Sequence, residues 1–148
     1  MASLFVDKDR DALFRRIRSL EPASARRWGQ MTSNAMLLHL GNSARMALGE
    51  LPVRPKNKRA FQRFPLKHLL LYVVPFPKGA PTARELLPVE PGEFERERDL
   101  LLELLARLAE GPKGGMGPEH PLFGPLSRQE WGVLTHKHAD HHLRQFGG

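Results

Sequence analysis

Proline interrupts a helix wherever it falls inside one. Seven of this chain's thirteen prolines crowd between Glu50 and Glu90, at positions 52, 55, 65, 75, 77, 81 and 88. Long helices are therefore expected on either side of that stretch. Two segments before it and two after it carry apolar residues at helical spacing, and none alternates as a convincing strand would. The pattern predicts an all-α protein. Only "LYVV" (Leu71 to Val74) could be read either way.

The first helix is predicted from about Lys8 to Leu20, with Leu13, Ile17 and Leu20 on one face. Asp7 or Asp9 stands at its capping position, and Pro22 follows its end. The second runs from about Asn34 to Leu48, with Thr32 or Ser33 as N-cap and Gly49 as the stop. The third spans about Pro91 to Glu110, striped by Phe94, Leu101, Leu105 and Leu108 and ended by Gly111-Pro112. The fourth opens on a capping box, Ser127 with Glu130 three residues on, and Leu126 and Trp131 stand at the staple positions. It should reach about Phe146, before Gly147-Gly148. Leu66 to Val74 is a short apolar piece suited to an extra helix pressed on the core, and Gly111 to Pro125 reads as a surface loop. A long connection between helices two and three lets them run parallel in a bundle.

A length of 148 residues fits one domain, taken as 1–148. With no cysteine, disulfides, Cys-ligated zinc and a protein thiol nucleophile are excluded. Asp7, Lys8, Asp9 and Arg10 interrupt the N-terminal stretch too early for a signal peptide. The run "LLLYVV" is too short to span a bilayer. The expectation is a soluble, cytoplasmic protein with no membrane partner. The net charge is +7, and six Lys or Arg with no acid lie between Arg54 and Lys67. Such a patch is commonly a solvated face, though it could meet phosphates or an acidic partner. Few aromatics accompany it, and no nucleic-acid-binding motif appears, so a nucleic-acid partner is not expected.

Four of the seven histidines fall within "HKHADHH", positions 136 to 142, on the fourth helix. At 100° per residue, His138 and His142 stand about 40° apart and about 6 Å apart along the axis, so their imidazoles can converge on one ion. They continue the stripe Trp131, Leu134, then Gln145 or Phe146, where a bundle helix would otherwise place core residues. A polar group facing the core needs a partner. Two ligands are too few, and His39, on the apolar face of helix two with Met36, Ser43 and Met46, is the best third. Three neutral histidines with water suit Zn, Ni, Fe or Cu. His141 is a fallback ligand. His136, His68 and His120 read as surface residues, Asp140 points away from His142, Gln145 could line the pocket, and Arg45 and Arg144 are candidate helpers. The bland alternatives are a polar helix end and a satisfied core histidine at position 39.

"HADHHLRQ" (His138 to Gln145) resembles the H-x-x-H-H-x-x-Q signature of the last helix in DinB-like proteins, also called YfiT-like metal-dependent four-helix bundles. "WGQMTSNAMLLHL" (Trp28 to Leu40) is similar to that superfamily's second-helix phrase, which ends in its single histidine. The resemblance covers most of the chain in order and points to an uncharacterised subgroup. It implies an up-down-down-up bundle with a long connection between helices two and three. It also implies a divalent metal, commonly nickel or zinc, on His39, His138 and His142. Characterised relatives include S-transferases and an isomerase that use low-molecular-weight thiols, and dimers are common among them. His136 departs from the superfamily's usual aromatic residue.

Three functions are therefore compared. The first is a metal-dependent enzyme of the DinB-like type, a thiol S-transferase or a hydrolase acting on a small-molecule substrate. The thiol would be a cosubstrate, and Arg45 and Gln145 would help at the metal. The second is a metal-stabilised bundle without catalysis. The third is a basic module for nucleic acid or an acidic partner.

Overall fold

The computed structural model describes residues 1–78, 83–87, 90–111 and 119–148. The expectations for Pro81, Pro88 and residues 112–118 lie outside these. Five helices are present, and no strand is found among the described residues. They are α1 (Asp7–Ser19), α2 (Ser33–Ala47), α3 (Leu66–His68), α4 (Phe94–Glu110) and α5 (Arg128–Gln145). Single turns at Arg59–Gln62 and Arg84–Leu86 are 3₁₀, and a π turn, Leu69–Val73, continues α3.

The helix starts follow their caps. The Thr32 hydroxyl accepts the Ala35 N–H at 3.1 Å and opens α2. Ser127 and Glu130 make the reciprocal capping box of α5, at 3.1 and 2.8 Å. The start of α1 corrects the sequence expectation. Val6 occupies the N-cap position without a side-chain cap, because the Asp9 carboxylate accepts the Ser3 N–H at 3.0 Å instead, and Asp7 takes Arg10 at 2.7 Å. The chain before α1 lies on α5, where the Leu4 N–H donates to the Gly132 carbonyl at 3.1 Å. A Cβ on Gly132 would stand 2.4 Å from the Phe5 ring and from the Ser3 hydroxyl, so only glycine admits this approach.

One core joins the four long helices. Leu13 and Ile17 come from α1, Met36 and Leu37 from α2, Leu101 and Leu108 from α4, and Trp131 and Leu143 from α5. Burial of each such side chain stabilises the fold by about 1.5–3 kcal/mol. α2 lies along α4, and α5 contacts α1 and α2. That last contact carries the histidines.

The expected extra helix appears as α3 with its π turn. It packs in a small second cluster of Leu71, Phe123 and Leu134. Lys137 of α5 ties it down by donating to the carbonyls of Leu70 at 2.5 Å, Leu71 at 3.5 Å and Val74. An ammonium has three protons, so this one is fully used on backbone oxygens. No described helix is long and apolar enough to cross a membrane.

Candidate metal centre

His39 sits mid-way along α2 and is 1 % exposed. Its Nδ1 lies 3.0 Å from the Leu86 carbonyl, on the Arg84–Leu86 turn. A carbonyl only accepts, so Nδ1 carries the proton and Nε2 keeps its lone pair. That Nε2 stands 3.0 Å from Nε2 of His138 on α5. His142, one turn on, has its Nδ1 3.0 Å from Oε1 of Gln145. The Gln145 amide N–H donates in turn to the Trp28 carbonyl at 2.8 Å, which fixes its oxygen toward His142. The proton of His142 therefore also sits on Nδ1, leaving its Nε2 free.

The three rings form a near-equilateral triangle, with centroids 4.9, 4.8 and 4.8 Å apart. One nitrogen from each lies within 4.8 Å of the others. Two nitrogens each about 2.0–2.1 Å from one ion stand roughly 2.9–3.4 Å apart, depending on the angle. The His39–His138 separation falls in that range. Burial favours the neutral form of all three. It pushes His39 down against the opposing bond to Leu86, and His138 well down, with His39 and His142 adding to the effect. His142 is lowered to about 4, by burial first and then by His39. Neutral imidazole is the form that binds a divalent ion.

The supports of this triangle come from far along the chain. Gly29 has φ +81°, and a Cβ there would stand 2.3 Å from Nε2 of Gln145. The Arg27 N–H donates to the Gln145 carbonyl at 2.6 Å. The segment 27–29 thus clasps the end of α5. Sequence reading placed Gln145 at the pocket but missed its clasp on Trp28 and Gly29. It also missed the Leu86 carbonyl. The glycine in "WGQ" was the available signal.

The other expected residues are placed elsewhere. His141 stands outside the triangle, with Trp28 at 5.7 Å and Phe76 at 6.0 Å. Arg45 donates to Asn42 at 2.8 Å, one turn back on α2, and joins no described contact with the three histidines. Asp140 accepts from Arg16 at 2.7 Å and Arg144 at 3.0 Å, turned toward α1 as its helical angle required. His68 is exposed, with Phe64 and Tyr72 beside it.

Two histidines correct the reading. His136 is half-buried, and that burial lowers it against Asp140 and Asp9, which raise it. His120 is not a surface residue but the clasp of its loop. Its Nδ1 accepts the N–H groups of Leu122 at 3.1 Å and Phe123 at 3.2 Å, and its ring meets Trp131 at 5.6 Å. Of the six cations between positions 54 and 67, Lys67 is drawn inward to Glu130 at 3.3 Å.

A family profile described as a protein of unknown function (DUF1569) matches residues 4–147. No curated protein and no solved structure matches the chain.

Proposed function

The chain belongs to the DUF1569 family, whose function is unknown, and we propose that it is a metal-dependent enzyme whose centre is His39, His138 and His142. The observation that carries this reading is the pair of pinned rings. His39 and His142 each commit Nδ1–H to a protein acceptor, Leu86 or Gln145, which leaves Nε2 of each a lone pair, and that of His39 faces His138. Hydrogen bonding of the outer ring nitrogen is how proteins orient metal-ligating histidines.

A divalent ion, nickel or zinc by preference, would supply Lewis-acid activation of a thiol cosubstrate or of water. The chain's own part is to keep three imidazoles neutral, to fix the tautomers of His39 and His142, and to set Phe76 and Trp28 beside them. With no cysteine in the sequence, a thiol must come from solution. Transfer of that thiol to an electrophile, or hydrolysis, is the reaction class proposed. A closed structural site would use four protein ligands. Among the described residues the group has three, and His141 stands between Trp28 and Phe76, which favours an open, catalytic centre. The same reading takes the fold as one DinB-like four-helix bundle over 1–148, with residues 50–90 as the crossover between α2 and α4, assembling as a homodimer.

The test is elemental analysis of untagged protein purified without chelator, beside His39→Ala and His142→Ala. Close to one equivalent of nickel or zinc in the parent, lost in both variants, is expected. No metal in the parent, and none taken up from divalent salts, overturns the reading.

A further inference from the structure

The approach to the histidine triangle has a chemical character of its own. Trp28 and Phe76 flank His141, which in turn touches His142 at 5.2 Å between ring centroids. Each aromatic face carries a lysine. Lys137 lies over Phe76 at 4.8 Å, and Lys78 over Trp28 at 4.5 Å. The two lysines differ in what remains of their bonding capacity. Lys137 spends its protons on the carbonyls of Leu70, Leu71 and Val74. Lys78 is exposed, and the Trp28 ring is its partner among the described residues. The residues outside the description, 79–82, 88–89 and 112–118, include no Asp or Glu, so none of them brings a carboxylate to it. Of the nearby acids, Asp140 is already held by Arg16 and Arg144. Among the described residues, Lys78 is thus an ammonium beside an aromatic face that makes no ion pair.

We propose that the ligand of this centre is a small molecule carrying an anion, a carboxylate or a phosphate, that Lys78 receives while the ligand's body lies against Trp28. This rests on the metal-dependent reading above and names the ligand class for it. The ammonium on Trp28 is held by the ring's negative face, which stations the charge without neutralising it. An anion arriving there gains an ion pair and displaces no existing one.

The experiment uses the cobalt-loaded full chain and two matched probes, 6-mercaptohexanoate and 6-mercaptohexanol. Both offer the same sulfur to the metal. Only the first carries an anion, at the end of a six-carbon chain. Binding is followed by the sulfur-to-cobalt charge-transfer absorption. The parent should bind the carboxylate probe about three- to fivefold more tightly at low salt, in the range of an exposed ion pair, and added salt should erase the preference. Lys78→Gln should bind the two probes equally, with affinity for the neutral probe unchanged. Lys78→Arg should keep the preference. Equal binding of both probes by the parent, or a preference that survives in Lys78→Gln, overturns the proposal while leaving the metal centre standing. Failure to take up cobalt at all overturns the metal centre itself, and this ligand with it.

Discussion

Two places in this molecule hold histidines withdrawn from solvent in part or whole, and they use their nitrogens in opposite ways. In the loop before α5, His120 turns Nδ1 onto two backbone N–H donors, those of Leu122 and Phe123. At the α2–α5 contact, His39 and His142 turn their N–H groups to Leu86 and Gln145, and one nitrogen from each lies within 4.8 Å of the other two rings' nitrogens. Burial pushes the basicity of both places down, His120 and His142 alike to about 4. A depressed pKa therefore does not separate a structural histidine from a ligand. The direction of the lone pair does. A lone pair spent on backbone donors has nothing left for an ion, whereas His39 and His142 commit their N–H groups to acceptors and keep a lone pair each.

The largest effect that would break this comparison is loss of metal. His138→Ala should lose its bound ion, whereas His120→Ala should retain close to one equivalent even if its loop loosens. Equal retention in both variants, measured by elemental analysis, would erase the distinction. Next comes Gln145→Ala, which removes the acceptor that fixes the tautomer of His142. Metal affinity should fall about 10–100-fold, read by competition with a chelating dye, and Gln145→Glu should restore part of it. An unchanged affinity would mean that Gln145 is packing alone.

Gly29→Ala tests the support behind Gln145. A left-handed backbone costs a residue with a Cβ roughly 1–2 kcal/mol, and the 2.3 Å approach to Nε2 of Gln145 adds to it. Denaturant unfolding of metal-free protein should show at least that loss. An equally stable variant would mean that the clasp at 27–29 yields easily.

The smallest effect is a pH response confined to the loop. Burial, and then Lys56, lowers His120 to about 4 from the ordinary 6.5. The unfolded chain then binds more protons than the native one between those values, so stability is complete above about 6.5 and falls as the pH drops toward 4. Protonation of Nδ1 also removes the acceptor of the Leu122 and Phe123 amides. Their amide resonances should shift with a midpoint near 4 in the parent and stay flat in His120→Gln. A shift shared by both would place the titrating group elsewhere.

Much of this was legible in the sequence where the cause is local. The capping box of Ser127 and Glu130 is a three-residue device, and α5 starts where it dictates. Thr32 opens α2 for the same reason. His138 and His142 follow the stripe set by Trp131 and Leu134, so helical spacing alone placed them inward. His39 shares a face with Met36 and Met46, and that too is local periodicity. The misreadings come from contacts that helical periodicity does not report, near and far along the chain. Asp9 was free, on sequence grounds, to cap α1, yet the chain before it folds onto Gly132 and claims the carboxylate. His120 reads as a loop histidine until Trp131 and Phe123 close around it. The Trp28–Gln145 bond spans 117 positions, and no periodicity reaches that far. The family match adds membership in DUF1569 but no chemistry, so the function rests on the site.

The most direct test of the account is X-ray absorption at the metal edge of nickel- or zinc-loaded protein. Three imidazole nitrogens at about 2.0–2.1 Å, with a further position filled by a light atom from solvent, are expected. That further scatterer should be replaced by sulfur when a thiol is added. Fewer than three imidazoles would contradict the centre of His39, His138 and His142. A shell of four protein ligands that no thiol alters would contradict its being open for chemistry.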